Sequence, residues 1–358
     1  MAAYISFQPK DFFNTVLYTG DGVAIGSGGN AITGVGFQPD FIWSKARSSG
    51  YTGSIYDSVR GAGAARHLTS SETEAEGTAN WVYGHISAFG ADGYTLSEGS
   101  DGGNPYANEN ESGTTYVSWN WLAGNATLGT GDFTQGTLAS TCSRNVDAGF
   151  SIVNYVGNAV ADATFGHGLS KAPEFVMVKN REEGDERWTV WGAHFDRMFL
   201  NNTDANTNTS YDAAFNSTLV LTDDVANAWN ESGDDHIAYC WHSVDGFSKM
   251  GSYAGNSSAD GTFVYLGFRP AFVMWKKTNS ADDWGIHDNK REESTNANPI
   301  DNYLRPNVSA VEGDDGDSVD FLSNGFKWRL SSGLRNNSGD TYIYIAFAET
   351  PFKYSNAR

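Results

Sequence analysis

A reacting centre in this chain would have to be assembled from seven His, two Cys and a large stock of carboxylates. No His-Glu-x-x-His or Cys-x-x-Cys spacing occurs, so no metal is expected on those grounds. Gly166-His167-Gly168 reads as a turn before a strand. Asp314-Asp315-Gly316-Asp317, with Asp320, clusters hard oxygens around a permissive Gly, the chemistry that cages calcium. It lacks the spacing of a helix–loop–helix site, and a solvated acidic loop is the expected reading. A nucleophile elbow is missing, because Gly246-Phe247-Ser248-Lys249-Met250 has no second Gly. Carboxylate pairs of the glycosidase type are not excluded by residue type. None of the carboxylates, however, stands at an equivalent place throughout the repeat described next. No enzyme and no cofactor is expected, with glycan processing kept as a remote alternative.

What positions these residues is a threefold repeat. Phe followed by Tyr-x-Gly-(Asn/Asp) occurs at Phe13 with Tyr18 to Asp21, at Phe150 with Tyr155 to Asn158, and at Phe247 with Tyr253 to Asn256. A Pro-led apolar run follows each: Gly36 to Lys45, Ala172 to Lys179, and Gly267 to Lys276. An Asn-and-Gly turn into an aromatic strand closes each copy, at Asn110–Trp121, Asn230–Trp241 and Asn337–Phe347. Three phrases in one order mark a repeat architecture.

Alternation of apolar and polar residues, as in Phe150-Ser151-Ile152-Val153-Asn154-Tyr155, is the period-2 pattern of strands. Continuous runs such as Phe175-Val176-Met177-Val178 fit strands buried on both faces. The expected fold is all-β: three tandem, homologous antiparallel sandwich-like modules of six to eight short strands, with little helix. The expected boundaries are 1–121 for the first module with an N-terminal arm, 122–149 for a Gly/Thr-rich connector, 150–246 for the second, and 247–358 for the third with a short tail. Tyr51–His67 and Trp188–Phe199 are the least β-like stretches, where a short helix is admissible. The short link His242–Gly246 predicts that the second and third modules form one rigid unit.

The net charge of −20 repels phosphate backbones, so nucleic acid is not an expected partner. Cys142 and Cys240 fall at unrelated places in the repeat, which argues against a disulfide framework. No signal-like segment or bilayer-length apolar run is evident, so synthesis in the cytoplasm without a signal peptide is expected, and membrane insertion is not.

Two aromatic and cationic patterns recur. Lys45, Lys179 and Lys276 each end a Pro-led strand. They read as a ligand contact made three times, or as strand-end lysines whose stems cover aromatic surface while their ammonium groups reach water; the latter is expected. Trp119, Trp121, Trp241 and Trp275 lie in alternating strands and are expected in cores. Trp81, Trp188, Trp191, Trp229 and Trp284 lie in polar segments, where aromatic faces can stack on sugars or anchor an interface. The candidate contact surface is Trp81, Tyr106, Trp188 and Trp284.

The three phrases, from Phe7 to Phe352, resemble a family of bacteriophage virion proteins frequent in phages of marine bacteria, loosely described as tail-fibre or structural proteins. The resemblance implies a non-enzymatic component of the particle surface, an appendage or tail-fibre-like protein with host-facing loops. Without a coiled coil or extended repeat ahead of the modules, a long shaft is not expected, and a capsid decoration protein is the alternative. Implied partners are other virion proteins, further copies of the chain, and a host glycan or protein.

Overall fold

The computed structural model describes residues 8–78, 80–124, 126–206, 215–222, 229–292, 298–331 and 333–348. Among these residues there is no α-helix, only four short 3-10 turns between strands. The fold is all-β, in antiparallel sheets.

Each module is built on one ladder. An opening strand pairs with the closing strand, which pairs on its other side with the Pro-led strand. In that order the strands are Phe13–Thr19, Thr115–Trp121 and Phe41–Ala46 in the first module. They are Phe150–Val156, Asp235–Trp241 and Phe175–Asn180 in the second, and Ser248–Ala254, Thr341–Ala348 and Pro270–Lys277 in the third. Two more strands continue each sheet beyond the Pro-led strand: Ser54–Asp57 and Leu68–Thr69, Thr189–Gly192 and Phe195–Phe199, Gly285–Asp288 and Ile300–Leu304. The stretches admitted as helical, Tyr51–His67 and Trp188–Phe199, therefore hold strands; only Ala64–Arg66 makes a helical turn. Their weak alternation follows from the burial of Ser54–Asp57 along its whole length.

The repeat phrases occupy equivalent slots. Phe41, Phe175 and Phe272 lie opposite Trp121, Trp241 and Phe347. Tyr18, Tyr155 and Tyr253 stack on Tyr116, His236 and Tyr342 at 5.0–5.1 Å. One residue is shifted: the slot of Phe13 and Phe150 belongs in the third module to Ser248, not Phe247. Phe247 precedes the strand and packs on Phe347 and Phe12.

The phrase Tyr-x-Gly owes its Gly to a close approach. A Cβ on Gly20, Gly157 or Gly255 would lie 2.1–2.2 Å from the carbonyl oxygen of Glu111, Glu231 or Asn337. Beside it, buried Asn110, Asn230 and Asn336 accept the N–H of the following Asp21, Asn158 and Asn256 at 3.0–3.1 Å. The first and third phrases are thus the two halves of one clasp.

Every main sheet is buried on both faces, which is why the Pro-led strands read as unbroken apolar runs. One face packs under the module's own smaller strands. These are Asn30–Thr33, His85–Gly90 and Gly93–Ser97 in the first module, and Ala163–Gly166 with Leu219–Thr222 in the second. In the third, Phe263–Tyr265, Gly313–Leu322 and Gly325–Trp328 join the main ladder, giving eight strands in one sheet. The acidic run Asp314–Asp320 therefore lies in a strand rather than a loop, with Asp320 paired to Arg329 at 3.2 Å. The other face of all three sheets meets in a single cluster that includes Phe13, Trp121, Phe150, Trp241, Phe272 and Phe347.

The expected connector 122–149 is not a bare loop. Thr127–Leu128 and Ser140–Asn145 extend the second sheet beside its opening strand. Phe133, Leu138 and Cys142 enter the second module's core, where Cys240 also lies; both thiols are free.

Candidate functional site

The surfaces that the modules present to one another decide which side chains remain for outside contacts. Each module donates to the next in the same sense, so three head-to-tail contacts close into a ring. The second module donates to the first: Lys179 Nζ to Thr73 O at 3.0 Å, Trp188 Nε1 to Thr69 O at 2.8 Å, Arg181 Nε to Glu76 at 2.7 Å. The first donates to the third: Lys45 Nζ to Val308 O at 2.9 Å, Ser70 Oγ to Pro306 O at 2.8 Å, Arg47 Nη2 to Glu312 at 2.8 Å. The third donates to the second: Trp284 Nε1 to Phe199 O at 2.9 Å, with Lys276 Nζ reaching Thr203 O at 3.5 Å. At all three seams a backbone N–H answers back: Glu76 to Arg181 O, Glu312 to Arg47 O, and Asn206 to Thr278 O, at 2.7–2.9 Å.

The recurring lysines are corrected by this geometry. Lys45, Lys179 and Lys276 are fully buried, and their ammonium groups end on backbone carbonyls instead of in water. Burial lowers the Lys45 pKa to about 7 and those of Lys179 and Lys276 to about 8.

Seam chemistry is also where the copies part company. Asp57 with Arg60, and Asp288 with Arg291, are buried ion pairs at matching positions in the first and third modules. Tyr239 donates to Asp57 at 2.7 Å and Trp119 to Asp288 at 3.0 Å. At the third seam the matching residues are Gly192 and Ile345, and Phe195 fills the space over Gly192. Both polar partners are missing together, so neither is left buried and unsatisfied.

Inside each module a slot before the clasp Asn holds Glu109, Trp229 or Arg335. Arg335 lies over the rings of Tyr303 and Trp275 at 4.5 and 5.1 Å. Glu109 accepts from Ser44 Oγ at 2.9 Å and from Tyr18 at 3.3 Å, and burial raises its pKa to about 7.

Of the four expected contact residues, Trp188 and Trp284 are corrected: they are 0% and 1% exposed and serve the seams. Their polar sequence surroundings are seam loops, which is why they read as surface. Trp191 and Trp229 are buried against each other in the second core. Trp81 and Tyr106 are half-buried, in two neighbouring segments of the first module, where Gly84 N–H meets Trp81 O and Tyr106 borders Gly84.

Beside those two residues runs a groove missed by sequence reasoning. Tyr51, Thr52, Asn80, Tyr83, Asn104 and Asn108 line it, with Ser309 contributed by the third module, around a volume of about 230 Å3. Asn108 Nδ2 donates to Asn80 O at 2.9 Å, Asn104 Nδ2 to Tyr51 Oη at 3.3 Å, and Tyr51 Oη to Glu111 at 2.8 Å. The available signal was a run of Asn and Tyr in segments that the other two modules do not repeat. Among the described residues no group of three or more His, Cys, Asp or Glu gathers as a metal site.

Fold and seams together define a class: a closed ring of three all-β modules in one polypeptide. The chain belongs to the family described as a domain of unknown function, DUF7483, whose model matches residues 8–351 and so spans all three modules as a unit. No curated protein and no solved structure gives a significant match.

Proposed function

We propose that the chain is a non-enzymatic surface protein of a bacteriophage particle, an appendage or tail-fibre-like component that works through its outward loops and through self-association. The observation that carries this reading is the division of the molecule into shared and unshared parts. Ladders, clasps and seams recur in every module, whereas groove and loop residues do not, and contact residues usually sit on loops held by a rigid scaffold. Acids and bases of the interior are held in structural contacts: Asp57 with Arg60, Lys45 on the Val308 carbonyl, Glu109 on the Ser44 hydroxyl. Self-association has a physical basis at two sheet edges. Among the described residues the opening strands Phe13–Thr19 and Ser248–Ala254 end their ladders, while that of the second module is covered by Ser140–Asn145. The resemblance of the three phrases to phage virion proteins supplies the setting.

A capsid decoration protein is the second reading, favoured by the ring itself: three like modules in one chain present a near-threefold face that matches a threefold place on a head lattice. Antibody labelling of intact particles tests both. Label at the tail supports the leading reading, label over the head supports the second, and particles without the protein refute both.

A further inference from the structure

We propose that the groove between Tyr51, Tyr83 and the Asn80–Asn104–Asn108 amides is a binding site for a neutral saccharide. This rests on the surface-protein reading and adds the ligand class and the place.

The lining chemistry is that of a polyol receptor. Amide groups offer both donors and acceptors, as vicinal hydroxyls require. Asn80 gives its Nδ2 to Glu74 at 2.8 Å, and Asn104 gives its own to Tyr51, while no donor among the described residues reaches either Oδ1. The Thr52 hydroxyl donates to Asn108 Oδ1 at 3.3 Å and keeps its lone pairs. Tyr83 is 37% exposed, and its ring supplies the flat apolar surface on which a pyranose face can lie.

Three further features narrow the ligand. No charged side chain lines the groove, and the nearby Glu111 is taken up by Tyr51 and Thr114, at 2.8 and 2.7 Å. An ionic ligand would find no counter-charge there, and the net charge of −20 repels acidic sugars. The volume of about 230 Å3 lies below the roughly 300–1,000 Å3 of pockets for drug-sized ligands, which suits a short stretch of sugar rings. Extended peptides dock on open strand edges or into apolar grooves. Here the walls are loops and a 3-10 turn with no open strand edge, and amides and hydroxyls stand among the aromatic rings.

The groove is also preorganised. Asn108 N–H donates to Tyr83 O at 2.8 Å, Asn104 N–H to Asp101 at 2.6 Å, and the hydrogen bonds given above fix Tyr51 and Asn108. The side chains of Tyr51, Asn80, Asn104 and Asn108 therefore have little freedom left to lose on binding.

The test uses the full chain, fluorescently labelled, on an array of immobilised neutral oligosaccharides of hexoses and N-acetylhexosamines, with acidic glycans and a peptide library alongside. Binding to a neutral saccharide is expected. Tyr83→Ala and Asn104→Ala should each weaken it about tenfold or more, with unchanged far-UV spectra. Phe263→Ala, on an exposed aromatic of the third module, should bind as the parent does. Should Tyr83→Ala fail to fold, Asn104→Ala carries the comparison. Binding to no neutral saccharide, preference for acidic glycans or peptides, or full affinity in the Asn104 variant would overturn the proposal. Particle labelling stands apart from this result: protein on particles without saccharide binding removes the groove reading alone, and saccharide binding by a protein missing from particles removes the virion reading alone.

Discussion

Tyr239, in the closing strand of the second module, donates its hydroxyl to Asp57 of the first across a buried seam at 2.7 Å. Asp57 also holds Arg60, which reaches Glu76, itself paired with Arg181 of the second module. One carboxylate therefore ties a local ion pair to a contact between modules.

Replacing Asp57 by Ala would leave a buried guanidinium with Glu76 as its remaining carboxylate, a loss of about 3 kcal/mol. Tyr239→Phe removes the hydroxyl that donates to Asp57 and accepts from Arg60, and should cost about 1–3 kcal/mol. Urea unfolding of both variants checks the order. Equal costs would mean that Arg60 finds its compensation elsewhere.

The clasp glycines should resist substitution where open glycines do not. At Gly157 a Cβ would sit 2.1 Å from a backbone carbonyl, whereas nothing lies within 4 Å of one at Gly131. Gly157→Ala should cost about 1–3 kcal/mol or more through overpacking, and Gly131→Ala should be close to neutral. Thermal melts of the two proteins side by side decide this, and a neutral Gly157→Ala would refute the clasp.

At the hub, shape should matter more than the indole N–H. Trp241 Nε1 is buried with no hydrogen-bond partner among the described residues, and Phe347 fills the matching slot without one. Trp241→Ala should lose about 3–5 kcal/mol, while Trp241→Phe should lose less than about 1.5 kcal/mol. A Phe variant as damaged as the Ala variant would contradict this.

Burial lowers the folded pKa of Lys45 to about 7, against 10.5 when exposed. Between those values the unfolded chain binds more protons, so stability rises with pH across the window. Lys45→Met should flatten the slope between pH 7.5 and 9 by about 1.4 kcal/mol per pH unit. Denaturation midpoints over that range measure it, and parallel profiles would exclude Lys45 as the titrating group.

Glu109 works in the opposite sense. Its folded pKa is raised from 4.5 to about 7, so its protonated form favours the fold and that contribution is lost as pH rises from 4.5 through 7. Glu109→Gln should therefore gain on the parent over that interval by about 1.4 kcal/mol per unit and hold a constant lead above it. A difference independent of pH would show that the carboxyl does not titrate there.

The all-β class, the three copies and the equivalence of Tyr18, Tyr155 and Tyr253 were legible in residue order, because strand alternation and close-packed turns leave a periodic mark on residue type. The same order also revealed strands buried on both faces, such as Phe175–Asn180. What covers the second face emerges only once the chain is packed, since burial against a neighbouring module leaves the same apolar mark as burial within one. Trp188 and Trp284 misled for that reason: a seam loop is polar to satisfy its backbone, yet buries its indole in the next module. Lys45, Lys179 and Lys276 were visible as a pattern, but their carbonyl partners across the seams lie up to 263 positions away and obey no local spacing. The groove depended on geometry most of all, because Tyr51, Asn80 and Asn104 come from separate segments of the first module, and Ser309 of the third joins them only when the ring closes.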